Sequence, residues 1–360
     1  MESKVKFVTV AAEELFNFVV RCAERAGAKK PHAESLAELL VAADTRGHFS
    51  HGLNRLEMYV RDLQTETTSS ENEPKVMKET VGTALVDGCN VLGPVVGKFC
   101  IDLAIKKAKQ TGVGWVCATG SNHFGIAGWY SIRAANEGLL GMAFTNTSPL
   151  MVPTRAQKPA LGTNPISVAA PANNDSFVLD MATTTVALGK IEINKRKDME
   201  IPEGWGVDGE GQVTKNPDAV LSDGGLLPLG GTEENGGYKG YGLALMVEVF
   251  CGILAGANYG PNIRSWKSTS TAANLGQCFV ALDPSAFAPG FTDRMSDIMT
   301  TLRNMTPVQG QPSVMIPGDP ERKHEEKCAS LGGIPYHPNQ IEFAIRLADK
   351  LEIEQMKIKK

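Results

Sequence analysis

Two observations place this chain in the α/β class with a helical N-terminal region. From Thr83 onward, short β-rich runs alternate with helical patterns, as expected of a sheet with helices packed against it. Before the polar, turn-rich stretch TETTSSENEP, Thr65 to Pro74, apolar residues recur at helical spacing instead. The length of 360 residues suits two sub-domains, and the 42% apolar content is that of an ordinary globular protein.

In chain order, residues 11–26 and 31–45 read as amphipathic helices split by Gly27 and Pro31, and a third helix follows Ser50. The strand candidates are TALV, GWVCA, GMAFTN, PISVAAP, SFVLD and, later, CFVAL and SVMI. The longest apolar run, YGLALMVEVFCGILAGA, is interrupted by Glu248 and is shorter than the roughly 20 residues that span a bilayer, so it reads as a buried helix. No internal repeat or low-complexity tract is present.

A formal charge of −4 excludes the cationic excess that a dedicated nucleic-acid or polybasic membrane surface needs. The seven cysteines are scattered, with no CxxC pair and no metal-like spacing, which suits reduced thiols in a cytoplasmic protein. The opening MESKVKFVTVAAEELF has no sustained apolar core or small-residue cleavage site, so no secretory signal is expected, and the terminal IEQMKIKK reads as a solvated charged end.

The chemistry concentrates in a few stretches. A literal GxGxxG occurs at Gly204, Gly206 and Gly209, but it follows Pro202 and runs into turn residues, whereas a dinucleotide fingerprint follows a strand and opens a helix. It reads as a surface hairpin or loop. TGSNHFGIAGWY, Thr119 to Tyr130, follows a strand and precedes a helix, the position at which α/β sheets place ligands. His123 there either faces a crevice or is hydrogen-bonded into a turn. Asp180 closes SFVLD and either caps the next helix or orients an imidazole. Lys239, between Gly237 and Gly240 ahead of the apolar helix, is either a surface lysine or part of an anion site. Pro317, Gly318 and Asp319 form a turn after SVMI whose acidic group suits the following helix start.

The densest stretch is DTRGHFSHGLNR, Asp44 to Arg55. With Ser50 as the cap of the third helix, His51 lies in its first turn and Arg55 four residues later on the same face. A helix N-terminus disfavours imidazolium and leaves a neutral base, while the planar guanidinium matches a carboxylate. That outlines a site for a 2-hydroxy or 2-oxo acid. The alternative is a hydrated polar linker.

Taken together, RGHFSHGLNRLEMY, GSNHFGIAGWY, GTNPISVAAP, LDMATTTVALGKI, GGYKGYGLALMVE and PGDPE, in this order from Arg46 to Glu321, resemble the malate/L-lactate dehydrogenase family of non-Rossmann NAD(P)-dependent 2-hydroxyacid dehydrogenases. That group also holds ureidoglycolate and sulfolactate dehydrogenases, diketogulonate reductase and cyclic imino-acid reductases. The resemblance implies a mixed-sheet dinucleotide-binding domain without the glycine fingerprint, and a homodimer with its active site near the subunit interface. It implies a small 2-hydroxy or 2-oxo acid as substrate and NAD as cofactor, with NADP as the alternative. It also implies a division into a helical region 1–75, a cofactor-binding domain 76–275, and a segment 276–360 that completes the substrate side.

By the same resemblance, His51 or His123 carries the proton, Ser50 and Asp180 partner His51, and Arg55 holds the substrate carboxylate. Asn146, Thr147, Asp180, Met181, Ala182, Lys239, Pro317, Gly318 and Asp319 contact the cofactor. The assignment taken is His51 as acid/base and His123 as a second hydrogen-bond donor to the substrate oxygen. No metal is expected, because the histidines lack a clustered carboxylate or thiolate set. A cyclic imino-acid reductase and a catalytically silent binding or structural protein are the competing readings.

Overall fold

The computed structural model describes residues 7–265, 268 and 271–358. The six residues that bear most directly on a targeting signal, 1–6, lie outside that range, as do the last two. Strand β1 (Val8–Val10) leads into α1 (Ala12–Arg25) and α2 (Lys30–Thr45). Both α1 and α2 end on glycines with positive φ, Gly27 and Gly47. At Gly47 the amide of His48 returns to the Ala43 carbonyl and that of Gly47 to Asp44, a Schellman closure that stops the helix and turns the chain. A 3-10 turn, Leu53–Arg55, then runs into α3 (Leu56–Gln64).

The rest follows as β2 (Lys75–Glu79), β3 (Thr83–Asp87), α4 (Gly93–Thr111), β4 (Val113–Ser121), α5 (Gly128–Asn136), β5 (Leu140–Thr145), β6 (Ile166–Ala172) and β7 (Asp175–Met181). Helix α6 (Leu188–Arg196), β8 (Gly206–Val207), β9 (Val213–Thr214), α7 (Pro217–Ser222) and β10 (Gly225–Leu226) form a side module. Then come α8 (Gly237–Glu248) with a π-helical turn at Val249–Ile253, β11 (Leu275–Leu282), α9 (Phe291–Arg303), α10 (Asp319–Leu331), β12 (Ile334–Tyr336) and α11 (Pro338–Leu351).

The main sheet has seven strands in the order β2-β3-β4-β11-β5-β6-β7. Only the β3–β4 pair is parallel; the remaining neighbours are antiparallel, so the sheet is mixed. Side chains alternate across it with the two-residue period of a strand. Val116 and Phe279 face the core under α4 and α5, while Cys117, Cys278 and Val280 face the one under α8 and its π turn. A separate core joins α1, α2 and α3 to β12 and α11, and β1 pairs antiparallel with β12.

Four sequence expectations need correction. SVMI is not a strand: residues 313–316 lie outside any sheet or helix, and Pro317 offers its carbonyl to the Val178 amide just after that run. Strand β11 lies between β4 and β5, so a boundary at 275/276 cuts through the middle of the sheet rather than between domains. The apolar run after Gly240 is buried on one face only; Leu245, Val249, Ile253 and Leu254 are exposed on the other. Ser50 does not cap the third helix, for the reason given below. The glycine-rich GxGxxG is a hairpin as expected, with β8 and β9 closed by the turn at Asp208–Gln212.

Candidate active site

One edge of the main sheet gathers the ends of several strands. Strands β4, β5 and β7 finish there, and the antiparallel β11 and β6 start there, with Leu275 opposite Ser121, Gln277 opposite Thr145 and Ile166 opposite Met181. The loops leaving this edge enclose a cavity of about 300 Å³. Among these is the loop between β4 and α5, and residues from the turn after α2 and from α3 complete the wall.

Asp44, not Ser50, organises the turn. It is fully buried at the end of α2, and its Oδ2 accepts from the Leu53 amide at 2.9 Å and from the Tyr336 hydroxyl at 2.6 Å. The cap that starts the next helical segment thus comes from the preceding helix, leaving the Ser50 side chain to face the cavity. A Cβ on residue 52 would lie 1.9 Å from the Asp44 carboxylate, so this approach requires glycine. Burial pushes the Asp44 carboxyl up to about 7, against the pull of its two hydrogen bonds.

The turn so fixed aims three groups into the cavity. Ser50 Oγ lies 2.9 Å from His51 Nδ1, and Arg55 Nε donates to the Ser50 carbonyl at 2.8 Å. The His51 ring stacks near-parallel to that of His123, with centroids 5.9 Å apart. Desolvation first, then the charges of Arg55 and His48, press the His51 imidazole down to about 4. The His51 imidazole is therefore held neutral, by burial and a neighbouring guanidinium rather than by a helix N-terminus.

His123 sits on the loop after β4, facing the cavity and bonded in the turn at once. The Tyr59 hydroxyl lies 2.6 Å from its Nδ1, and the Gly125 amide donates to the same nitrogen at 3.3 Å. Burial holds the Tyr59 phenol protonated well above its usual range, so it serves as the donor, and Nδ1 is an acceptor twice over. The ring proton of neutral His123 consequently resides on Nε2. Burial, then His51 and Arg55, keeps this ring neutral too.

Asp180, near the end of β7, accepts from the Gly128 amide at 2.7 Å, so it caps α5, which packs on that strand, rather than the helix that follows it in sequence. Burial raises its carboxyl, with His48 as the foremost opposing charge. Asp180 lines the cavity together with Met181, Ala182 and Thr147.

The remaining residues expected near a cofactor fall elsewhere. Asn146 is fully buried, its side chain engaged by Glu248, the Asn258 carbonyl and the Gly276 amide. Lys239 is exposed beside Tyr238 in the first turn of α8, outside the cavity wall. Gly318 packs on Val178 of β7, while Asp319 takes Arg303, Arg322 and the Ile316 amide, which hold its carboxyl far below the usual range despite burial. Pro317 to Asp319 thus adjoin the strand that carries Asp180 without lining the cavity.

Sequence reasoning missed Tyr59, Asp62 and Arg264. Tyr59 lies four residues beyond Arg55, a spacing that could have placed it on the same face. Asp62 and Arg264 are 202 positions apart and no local pattern joins them. Among the described residues, no group of three or more His, Cys, Asp or Glu could hold a metal, and no helix is long and apolar enough to cross a membrane.

Comparison with known proteins fits this geometry. A family model described as malate/L-lactate dehydrogenase matches residues 10–343. The malate dehydrogenase of Pyrococcus abyssi is 37% identical over 98% of this chain and 97% of its own length. The solved structure of malate dehydrogenase from Pyrococcus horikoshii superposes with a TM-score of 0.90 at 36% identity, covering 98% of this chain and 99% of that one. The crystal structure of delta1-piperideine-2-carboxylate reductase from Pseudomonas syringae pvar. tomato gives a TM-score of 0.84 at 29% identity over 95% of this chain and 99% of that one.

Proposed function

The chain belongs to the malate/L-lactate dehydrogenase family and is a 2-hydroxyacid oxidoreductase, and from this we propose that its cavity exchanges a hydride between NAD or NADP and a small acid of the malate/oxaloacetate or lactate/pyruvate type. The observation that carries the reading is the convergence of two neutral imidazoles and a guanidinium on one cavity.

Arg55 takes the substrate carboxylate, its Nε already fixed by the Ser50 carbonyl. His123 donates from Nε2 to the substrate oxygen, since Tyr59 and Gly125 occupy Nδ1. His51 moves the proton: in oxidation it donates Nδ1–H to Ser50 Oγ and takes the hydroxyl proton on Nε2, and in reduction it returns that proton. Burial first, and the Arg55 charge second, depress the basicity of His51, and an arriving carboxylate would offset the second of these. Asp180 acts at one remove, holding the α5 N-terminus and countering His48.

The cavity wall combines Thr147, Ser148 and Thr163 with the apolar Ile126, Ala127 and Pro165, a set suited to a flat ring with a carboxamide, as in nicotinamide. When bound, that ring supplies or accepts the hydride. Met181, Ala182 and Thr147 would border it, and Asn146 would support it from behind through Glu248. Lys239 and Pro317 to Asp319 are assigned to more distant parts of the dinucleotide. Seven free cysteines suit a cytoplasmic protein.

The reductase likeness supports a second reading, a cyclic imino acid held by the same clamp. Supplying pyruvate, oxaloacetate and a cyclic imino acid separately with NADH and with NADPH, and following cofactor absorbance, tests both. The expected result is rapid oxidation with a 2-oxo acid; turnover with the imine alone would establish the second reading, and none with any would refute both.

A further inference from the structure

Arg55 is not the only arginine at the cavity. Arg55, Met58 and Asp62 are spaced i, i+3, i+7 along α3 and its 3-10 lead-in, and all three reach the cavity wall. At a rise of 1.5 Å per residue, about 10 Å separates the backbone of Arg55 from that of Asp62. At the Asp62 end, Arg264 enters from the loop after the 3-10 turn Gly260–Asn262, and it too lines the cavity.

Its guanidinium lies against Asp62, Nη2 to Oδ2 at 3.1 Å, and Nη1 donates to the Ser268 carbonyl. Both side chains are about nine-tenths buried. Among the described residues, Arg264 Nε and Asp62 Oδ1 are buried without partners, so the pair leaves hydrogen-bonding capacity unused. A pair that only pinned a loop would gain by satisfying these atoms or by replacement with apolar side chains, because desolvating two charges is costly. The cavity thus has two arginine poles on either side of the apolar Met58.

Building on the dehydrogenase reading, we propose that Arg264, held in place by Asp62, receives the substituent on C3 of the substrate. The enzyme accordingly favours 2-oxo acids that carry an oxygen-rich polar group there over pyruvate, which has only a methyl. Arg55 fixes C1, the histidines fix the C2 oxygen, and Arg264 accepts what extends beyond. Asp62 sets the charge of that end, keeping an otherwise isolated buried cation in its place.

The test compares kcat/KM of the full-length enzyme for oxaloacetate, 3-sulfopyruvate, 2-oxosuccinamate and pyruvate. Arg264→Met is expected to lower the values for the three polar substrates by about 30-fold, mainly through KM, as for a lost charge-assisted hydrogen bond, and that for pyruvate by less than about threefold. Arg264→Lys should restore part of the loss for the two anions and less for the amide, since charge remains but the planar fork does not. Asp62→Asn acts in the opposite sense: it unmasks the cation and raises the ratio of anionic to amide turnover. This second variant gives a directional readout even if Arg264→Met proves unstable. An equal fall on all four substrates, or none on any, overturns the proposal and makes the pair a loop anchor. Wild-type enzyme inactive on every 2-oxo acid removes the dehydrogenase reading, and this inference with it.

Discussion

His51 and His123 share a cause: each is a half-buried imidazole whose desolvation, beside a cation, holds it neutral. That has a consequence for stability. In the unfolded chain a histidine titrates near 6.5, whereas folded His51 does so at about 4. Between these values the unfolded chain binds a proton that the folded one refuses. The folded state therefore keeps its full advantage above 6.5 and loses it as pH falls toward 4. Asp44 works the other way, since its raised carboxyl keeps a proton in the fold up to about 7 and so weakens the fold as pH rises from about 4. The His51 contribution is isolated by comparing wild type with His51→Gln in urea melts at pH 7.5 and pH 5. Wild type should lose on the order of 1–2 kcal/mol more than the variant over that interval; equal losses would show that His51 is not held neutral by the fold. At this scale Ser50, His51, Arg55 and His123 were legible because their chemistry is local and dense. Arg264 and Asp62 were not, because they meet only through the tertiary fold.

Among the elements, α1 and α2 were legible from helical spacing and the strands from β3 to β7 from β-rich runs, although β7 buries only Val178 fully. What failed depended on distant partners. Ser50 has the composition of an N-cap, yet a buried carboxylate from α2 supplies the bond, and Ser50 is released to His51. Asp180 likewise caps a helix that begins 52 positions earlier in the chain. SVMI has the composition of a strand but no neighbour to pair with in a sheet, and β-propensity expresses a fit to neighbours more than a preference of the backbone. Strand β2, short and exposed along its length, carries almost no apolar pattern and is fixed by pairing with β3.

For the whole molecule, the arrangement of strand ends explains why one crevice collects residues from positions 48 to 275. A mixed sheet in which β11 returns between β4 and β5 brings strand starts and strand ends to the same edge. An apolar face, Leu245, Val249, Ile253 and Leu254, is left open by α8 and its π turn, and the homodimer that the sequence resemblance implies would cover it. Light scattering at micromolar concentration should give a dimer for wild type and a monomer for Leu245→Glu/Ile253→Glu; a dimer in both would place the contact elsewhere. In the proposed mechanism the turn after α2 carries the proton and the loop after β4 orients the substrate oxygen. Steady-state reduction of oxaloacetate by His51→Ala and His123→Ala, with cofactor affinity measured alongside, tests it most directly. His51→Ala should lower kcat by about 10²–10⁴ with cofactor affinity nearly unchanged, and His123→Ala should cost less. Near-normal turnover in His51→Ala, with activity abolished in His123→Ala, would reverse the two roles.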